Sequence, residues 1–473
     1  MTSGPPPGRS GVQGAARLAS RRAVRIAALV LLAASCVTRR VRDPGPPILV
    51  MPAPGPPVDT AVRADTVADI PRVAAPDAPA DAAHDARVAL ATAAQEAPLT
   101  ATGPWRLFDD AGGVVLRARA AETWYIERRG RQLRARAPTG PATGWVDGDI
   151  TLRTDAGSAF GVFAGRRYRG ALRVAATDSG LIVVNVVDVE SYLRGVVPLE
   201  IGVTRGASDQ AAVEAQAIAA RSYTWVRLGA AGAGRPYDLV ATVNDQVYGG
   251  VDAERQNTDD AVRTTAGLVL KFGGRVVDAP YSSACGGETA APDEVWRTGP
   301  SSYLRRVSDR IPGTTDRYYC DIAPRFAWTR DFTSSELDAA VRAYLRQYAP
   351  EVPAGGPGHV RSVAVVARTP SGRASETVFG TDRGTFTVHA NDVRYVLRKI
   401  GGEILNSTYF SLAADKAGDG SLARVEIRGN GYGHGVGMCQ WGAIGRARAG
   451  QTARSILAAY YPGTTVGYVA QNR

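Results

Sequence analysis

The chain of 473 residues predicts an α+β protein. Strand-like runs and helix-like segments interleave irregularly along it, without the strict strand–helix–strand alternation of a parallel sheet. Short runs of β-forming residues separated by turn signals dominate residues 105–187, and the longer helical patterns follow later in the chain. These observations favour mixed strands and helices with a β-rich segment in front.

The amino-terminal end predicts an export signal over residues 1–36. Arg21, Arg22 and Arg25 precede an apolar run over residues 26–34, which is too short to span a bilayer. Residues 33–36 are similar to a lipoprotein cleavage box, although Ala33 stands where Leu is usual. Two alternatives remain open: lipidation of Cys36, which would anchor an exported protein in the cell envelope, or an uncleaved signal anchor.

The net charge of +11 does not indicate a nucleic-acid partner. Five arginines and no acids precede Cys36, and Arg39, Arg40 and Arg42 follow it, so much of the excess lies beside the predicted anchor. Arginines there favour anionic lipid headgroups. No RNA- or DNA-binding motif is present, and we predict no nucleic-acid partner.

Residues 37–104 predict a disordered tether. The segment is rich in Pro and Ala, and from residue 43 onward it has no aromatic side chain with which to build a packed core. Residues 105–158 then predict a small β-rich segment. A hairpin turn at Asp178-Ser179-Gly180 is expected between strands near residues 172–174 and 181–184.

The later elements have clear local signals. We expect a helix over residues 208–228 with Ser208 as its N-cap, and a second helix that begins at Asn257 or Thr258. Gly273-Gly274 predicts a hairpin between residues 268–272 and 275–277. Further helices are predicted after the capping-box sequence of residues 333–336 and over residues 392–399, the latter capped by Asn391.

Residues 429–443 form the most distinctive motif, a loop with six glycines that follows a strand-like run and precedes a helix-like run. A dinucleotide-binding loop is excluded because no G-x-G-x-x-G spacing occurs and no acidic residue follows Met438 to hold a ribose. A packing loop with a hydrogen-bonded His434 and a ligand-binding loop remain as alternatives.

Five blocks of this sequence resemble the SpoIID/LytB family, in the family's order. They are residues 192–200 (Y-L-R-G-V-V-P-L-E), 214–223 (E-A-Q-A-I-A-A-R-S-Y), 246–250 (Q-V-Y-G-G), 280–289 (P-Y-S-S-A-C-G-G-E-T) and 429–443 (G-N-G-Y-G-H-G-V-G-M-C-Q-W-G-A). The resemblance implies a SpoIID-like domain over residues 159–470. It implies a role in remodelling peptidoglycan glycan strands, either as a lytic transglycosylase or as an enhancer of a cell-wall amidase.

Glu200 is the predicted catalytic acid because it occupies the place of the family's catalytic glutamate. Its neighbours Leu199 and Ile201 are apolar, and we expect the carboxyl group at the end of an apolar strand, where desolvation would raise its pKa. Without the resemblance, a solvated loop glutamate is the simpler interpretation. A transglycosylase needs one carboxyl group, whereas most hydrolases need two.

The resemblance also implies a set of substrate contacts. Arg221 has a second interpretation, in which it satisfies loop carbonyl groups below the cleft, and Trp441 is expected in the core rather than on a sugar face. The predicted contacts are Gln216, Arg221, Tyr223, Gln246, Tyr248, Tyr281, Ser282, His434 and Gln440.

We predict no metal and no cofactor. The four histidines have no zinc-binding spacing, and Ser282 stands where many relatives have a histidine. In an exported protein, Cys285 and Cys320 favour a disulfide, and the alternative is a zinc site that shares Cys285. Cys439 would then be a buried, inert thiol, since its spacing from His434 does not resemble that of a cysteine peptidase.

Overall fold

The computed structural model describes residues 40–42, 84–230, 234–296 and 298–469. The predicted signal peptide, the lipidation candidate Cys36 and residues 43–83 of the predicted tether lie outside the described residues. None of the helices in the described part of the chain is both long enough and apolar enough to cross a membrane.

The described residues contain both helices and strands in number, which confirms the α+β prediction. The helices are α1 Val189–Ile201, α2 Gln210–Ala230, α3 Gln256–Thr264, α4 Ser334–Tyr348, α5 Val393–Val396, α6 Gln440–Arg448 and α7 Ala453–Tyr460. The strands are β1 Arg40–Arg42, β2 Asp85–Ala94, β3 Ala97–Ala101, β4 Trp105–Asp109, β5 Val114–Ala118, β6 Trp124–Arg129, β7 Gln132–Arg136, β8 Ile150–Thr154, β9 Gly161–Phe163, β10 Arg166–Tyr168, β11 Ala171–Thr177, β12 Gly180–Asp188, β13 Leu239–Val240, β14 Leu268–Phe272, β15 Arg275–Val276, β16 Tyr281–Ser282, β17 Ala327–Thr333, β18 Val360–Arg368, β19 Ala374–Thr381, β20 Gly384–His389, β21 Phe410–Lys416, β22 Leu422–Asn430, β23 Met438–Cys439 and β24 Thr465–Tyr468.

Two sheets organise the first part of the described chain. A seven-stranded sheet has the order β13-β2-β12-β11-β8-β4-β5, and a five-stranded sheet has the order β10-β9-β3-β6-β7. Strands from both sides of residue 158 share these sheets, since β8 pairs with β11 and β3 pairs with β9. The β-rich segment before residue 158 and the strands after it therefore build one structure.

The prediction of a disordered tether is wrong for residues 85–101, which form β2 and β3. Strand β2 pairs with β12 along most of its length, and Val88 and Leu99 are fully buried. Alternating small apolar and polar residues suit a half-buried strand even without aromatic side chains. Low aromatic content was therefore a poor guide to disorder here.

The first hydrophobic core lies where α1 and α2 pack together beside the seven-stranded sheet. Helix α2 presents the small buried side chains of Ala212, Ala215 and Ala219. These allow close approach of the neighbouring elements. Helices α6 and α7 pack against the same helix.

A second core belongs to the segment from β17 to β22. Strands β21, β22 and β17 are adjacent in one sheet, and β18, β19 and β20 form another. Helix α4 contributes Leu337, Val341 and Leu345 to the core between them. Its predicted capping box is confirmed, because Thr333 and Glu336 exchange the two expected hydrogen bonds.

Two local predictions need correction. The segment that contains Glu200 is the helix α1 rather than a strand, because Asp188 caps it by accepting a hydrogen bond from Ser191 N–H at 2.9 Å. The helix predicted over residues 392–399 is a single turn, α5, and Asn391 lies inside the 3₁₀ turn before it rather than at its cap.

The location of β3 in the core is testable by truncating one side chain. Leu99→Ala should lower the free energy of unfolding by about 2–5 kcal/mol, as for other buried leucines. The matched surface control is Val114→Ala, because Val114 is 43% exposed, and it should cost less than about 1 kcal/mol. Chemical denaturation measures both values. Equal and small losses of unfolding free energy in the two variants would show that Leu99 is solvated, as in the predicted tether.

Candidate functional site

The glycine loop packs against the segment that begins at Pro280. Strand β23, at the end of the loop, pairs in parallel with β16, so that Met438 lies opposite Tyr281 and Cys439 opposite Ser282. Earlier in the loop, Tyr432 exchanges backbone hydrogen bonds with Ala284. Two of the five sequence blocks are therefore held side by side by backbone hydrogen bonds.

Glycine is required in this loop for both conformation and space. Gly435 and Gly437 have φ angles of +82° and +72°, which side-chain-bearing residues rarely adopt. A Cβ atom at Gly435 would collide with the Arg373 guanidinium, and one at Gly437 would collide with the Pro280 carbonyl oxygen. The loop can lie this close to its neighbours only without side chains at these positions.

Glu200 occupies the last turn of α1, and its carboxyl group is held by two partners. Val247 N–H donates to Oε1 at 2.9 Å, and Gln440 provides a side-chain hydrogen bond. Burial raises the pKa of Glu200, while these two hydrogen bonds act in the opposite direction, and the net shift is upward. No carboxylate among the described residues contributes to this shift.

A buried amide network lies next to Glu200. Gln246 Oε1 accepts hydrogen bonds from Thr224 at 2.9 Å and from Tyr192 at 3.2 Å, and its Nε2 donates to the Tyr281 hydroxyl at 2.9 Å. Each of these bonds limits the positions that the Gln246 side chain can adopt. The network therefore fixes the loop whose Val247 N–H holds the Glu200 carboxylate.

Gln216 and Gln440 join α2 to the beginning of α6. Gln440 Nε2 donates to Gln216 Oε1 at 3.3 Å, and both side chains are buried. Because Gln440 also contacts the Glu200 carboxyl group, the predicted residues Glu200, Gln216, Gln246, Tyr281 and Gln440 converge on one place. Each of the five sequence blocks contributes one of these residues.

Tyr223 lies at the margin of this network. Its hydroxyl donates to Asp245 Oδ1 at 3.0 Å, and the Arg227 guanidinium lies 3.1 Å from the centre of its ring. Burial raises the pKa of Tyr223, so its hydroxyl stays protonated. The Tyr223 ring is half-buried, and its position is fixed by the contact of its hydroxyl group with Asp245 and of its face with Arg227.

Ser282 and His434 stabilise the glycine loop. The Ser282 hydroxyl accepts from Gly435 N–H at 3.2 Å, and His434 Nδ1 accepts from Val436 N–H at 3.1 Å. The His434 ring also contacts Trp296, with 5.0 Å between ring centres. Burial and the nearby Arg394 lower the pKa of His434 to about 3, so the imidazole is neutral at physiological pH.

A cavity of about 330 Å³ opens beside Trp441. Trp441 follows Gln440 in the chain, and its half-buried side chain packs against the first hydrophobic core. The Arg325 guanidinium lies 4.5 Å from the centre of the Tyr432 ring on the cavity wall. The lining residues are Ser283, Ala284, Ala323, Pro324, Arg325, Tyr432 and Trp441.

Two predicted substrate contacts, Arg221 and Tyr248, are buried and bonded to the protein scaffold. Arg221 is 1% exposed, pairs with Glu190 at 2.7 Å and donates to backbone carbonyl groups near α3, as in its second interpretation. Tyr248 is 2% exposed and donates to Asn185 at 2.8 Å. Both stabilise the scaffold around α1.

The predicted Cys285–Cys320 disulfide is not formed in the structure. The two sulfur atoms lie 3.5 Å apart, whereas a disulfide bond is about 2.05 Å long. Cys439 is buried as expected, but its sulfur atom accepts a hydrogen bond from Cys285 N–H at 3.1 Å. The third thiol is therefore part of the same group of residues.

Several residues of the site were not identified from the sequence. Tyr192 lay in a recognised block and its aromatic hydroxyl was a usable signal, but Val247 acts through its backbone, which no side chain reveals. Asp245 and Trp296 lie outside the motifs quoted for the blocks. Only the folded chain brings them to Tyr223 and His434.

The chain is similar in sequence to known proteins and families. A family described as "Stage II sporulation protein" matches residues 177–272, and a domain of unknown function matches residues 316–437. The chain is 30% identical over 302 residues to the amidase enhancer of Bacillus subtilis (strain 168), covering 58% of this chain and 40% of that protein. It thus spans less than half the length of that relative.

Two further relatives are covered more fully. An uncharacterised protein of Brachyspira hyodysenteriae is 29% identical over 302 residues, with 64% of this chain and 73% of the relative covered. Stage II sporulation protein D of Bacillus subtilis is 27% identical over 297 residues, with 59% and 74% covered.

The raised pKa of Glu200 has a consequence for stability. A carboxyl group whose pKa is higher in the folded state loses stability as pH rises from the unfolded pKa through the folded one. Glu200→Gln removes this loss and keeps an oxygen that can accept from Val247 N–H. We therefore expect the variant to unfold at higher urea concentration than the wild type at about pH 8, with little difference at about pH 4. Lower stability of the variant at the higher pH would contradict a desolvated carboxylate.

Proposed function

Because this chain belongs to the SpoIID/LytB family, we propose that it remodels the peptidoglycan of the bacterial cell wall as a lytic transglycosylase that uses Glu200. The observation that carries the proposal is the environment of this carboxyl group. Burial raises the pKa of Glu200, and its two hydrogen-bond partners hold it in one orientation. A general acid that works near neutral pH needs this combination.

The reaction needs only one carboxyl group. Protonated Glu200 donates its proton to the glycosidic oxygen between the muramic acid and the next glucosamine residue, and the bond from that oxygen to the anomeric carbon breaks. The resulting carboxylate then accepts the proton of the muramic acid C6 hydroxyl, whose oxygen bonds to the same anomeric carbon. A 1,6-anhydro end forms, no water is consumed and Glu200 recovers its proton.

The partners of Glu200 suit both halves of this cycle. Burial favours the protonated acid, while Val247 N–H and Gln440 stabilise the carboxylate that forms once the proton has left. Neither the protonated nor the ionised form of Glu200 is therefore so strongly favoured that the other form cannot be reached. The amide network around Gln246 keeps the Val247 N–H in place throughout.

The cavity beside Trp441 is the site that we assign to the glycan. Aromatic rings such as those of Trp441 and Tyr432 bind the apolar faces of sugars, and Arg325 suits the acidic groups of muramic acid or its stem peptide. Trp441 directly follows Gln440, whose side chain contacts the Glu200 carboxyl group. Of the contacts predicted from the sequence, we retain Gln216, Tyr223, Gln246, Tyr281, Ser282, His434 and Gln440 as positioning or binding residues.

The alternative function is a protein without cleavage activity that binds glycan strands and stimulates a cell-wall amidase. Similarity to the Bacillus subtilis amidase enhancer supports this alternative, although the match covers 40% of that relative. Export and attachment at the envelope, through the signal segment or a lipid on Cys36, are also part of the proposal for either function. They rest on the sequence before residue 37.

Glu200→Gln should keep the fold and glycan binding but lower the rate of strand cleavage by about 10²–10⁴-fold, the usual contribution of a general acid. Release of 1,6-anhydro-muramic ends from purified glycan strands measures the rate. The matched control is Glu127→Gln, because Glu127 pairs with Arg136 on the neighbouring strand, outside the site. Cleavage by Glu200→Gln within about tenfold of wild type would refute its role. Stimulation of an amidase without any anhydro ends would establish the alternative.

The pH dependence of cleavage should respond to Gln440. Because the acid must be protonated, kcat/KM falls as pH rises through the pKa of Glu200, which lies above the usual glutamate value. The Gln440 hydrogen bond lowers this pKa, so Gln440→Leu should move the falling limb to higher pH. Gln451→Leu, which removes an amide bonded to Tyr319 instead, should leave the limb unchanged. An unmoved limb in Gln440→Leu would exclude Glu200 as the titrating acid.

A further inference from the structure

Four potential ligand groups lie together beneath the glycine loop. They are the side chains of Cys285, Asp309, Cys320 and Cys439, which we call the thiol–carboxylate cluster. All four are at most 1% exposed. Cys285 follows β16, Cys439 ends β23, and Asp309 and Cys320 lie in the connection between residues 305 and 326. Distant parts of the chain thus bring three sulfur atoms and one carboxylate together.

The spacing of the cluster suits a tetrahedral metal ion. Its four ligand atoms lie within 4.8 Å of one another. Cys285 Sγ is 3.5 Å from Cys320 Sγ and 3.8 Å from Asp309 Oδ2. Zinc–sulfur bonds of 2.3 Å in a tetrahedral site place sulfur atoms about 3.8 Å apart. The observed separations are close to this value and far from that of a disulfide.

Asp309 is oriented as a metal-binding carboxylate would be. Its Oδ1 accepts from the Tyr460 hydroxyl at 2.7 Å and from Arg446 Nε at 3.3 Å, while its Oδ2 faces Cys285. One oxygen is thus held by the protein and the other is directed at the thiols. Gly442 leaves room for this arrangement, because a Cβ atom there would collide with both Tyr460 and Asp309.

The Cys439 sulfur atom accepts two backbone hydrogen bonds. It accepts from Cys285 N–H at 3.1 Å and from Gly442 N–H at 3.3 Å, the latter at the beginning of α6. Backbone N–H groups in these positions would stabilise the sulfur as a metal-bound thiolate.

The surrounding charges suit an anionic metal centre. A divalent ion with three thiolates and one carboxylate has a net charge of −2. Arg446 lies 3.2 Å from Asp309, and the buried Arg373 donates to the Cys285 carbonyl oxygen at 2.8 Å. These two guanidinium groups would balance the charge of the centre, which is otherwise costly to bury.

We propose that Cys285, Cys320, Cys439 and Asp309 bind one Zn²⁺ ion as a structural site. Three sulfur ligands favour zinc over calcium or magnesium, and four protein ligands leave no open position for catalysis. The ion ties the connection that contains Asp309 and Cys320 to the beginning of α6. The site uses none of the histidines, and it does not depend on the proposed transglycosylase activity.

A disulfide between Cys285 and Cys320 is the competing state. It would oxidise two of the three thiols and leave the Cys439 sulfur without a covalent or metal partner. Asp309 would stay buried, with Arg446 as its cation among the described residues. The metal uses all four groups at once. Both the number of ligand groups and their spacing therefore favour a bound metal over the disulfide.

The test is the metal content of the full chain purified without chelator. We expect about one zinc per chain, and content at or below about a tenth of that in Cys320→Ser and Asp309→Asn after dialysis. Asp321→Asn is the matched control. Asp321 is also a buried aspartate and is adjacent to Cys320, but it pairs with Arg317 and lies outside the cluster. This control should retain zinc.

A second set of measurements uses the wild-type protein and therefore does not depend on whether the variants fold. Wild-type protein loaded with Co²⁺ should show intense tetrahedral absorption bands with thiolate-to-cobalt charge transfer, and a chelator should lower its unfolding temperature. Alkylation of the unfolded, unreduced protein should label Cys285, Cys320 and Cys439. Protection of Cys285 and Cys320 would establish the disulfide and overturn the proposal. Three reactive thiols without bound metal, or an octahedral cobalt spectrum, would overturn it as well.

Discussion

The parallel pairing of β16 with β23 is the contact on which the arrangement of the site depends. It sets the register in which Met438 lies opposite Tyr281 and Cys439 opposite Ser282. The pairing is possible because glycines at 435 and 437 adopt positive φ angles and leave space for the Arg373 guanidinium and the Pro280 carbonyl. Gln440 begins α6 directly after this pair. The position of the group that contacts Glu200 thus follows from a backbone register rather than from side-chain packing.

The buried Glu200 carboxyl group lowers the stability of the folded protein when it is ionised. A solvated glutamate ionises without a desolvation cost, whereas burial makes the charged form of Glu200 unfavourable. The fold tolerates this because the carboxyl group is only partly enclosed and because Val247 N–H and Gln440 supply polar contacts. The neighbouring Gln246 amide is in turn satisfied by Thr224, Tyr192 and Tyr281, whereas Gln216 Nε2 is buried without a hydrogen-bond partner among the described residues.

Elements with strong local signals could be predicted from the sequence. The α2 helix, the β14–β15 hairpin around Gly273-Gly274 and the capping box at Thr333 all formed close to their expected positions. Helix α1 was mistaken for a strand because Val196 and Val197 favour strands locally, while the Asp188 cap and burial against α2 decide the helix. Residues 85–101 were missed because alternation among small residues is a weak signal.

Motif membership predicted which segments meet but not the direction of each side chain. Arg221 and Gln216 lie on the same helix and in the same block, yet Gln216 faces Gln440 while Arg221 faces Glu190. Helical geometry separates residues five positions apart onto different faces, and the sequence does not state which face meets the cleft. Asp309 had no motif around it, so its proximity to three cysteines could be learned only from the fold.

The beginning of α6 connects the proposed chemistry to the thiol–carboxylate cluster. Cys439, Gln440 and Trp441 are consecutive, and successive residues entering a helix point about 100° apart. Cys439 accordingly faces the cluster, Gln440 faces Gln216 and the Glu200 carboxyl group, and Trp441 lines the cavity. A displacement of Cys439 by breakage of the cluster would therefore also displace the other two. The thiol–carboxylate cluster does not touch the substrate, but it sets the geometry of Gln440 and Trp441, which we propose do contact the substrate.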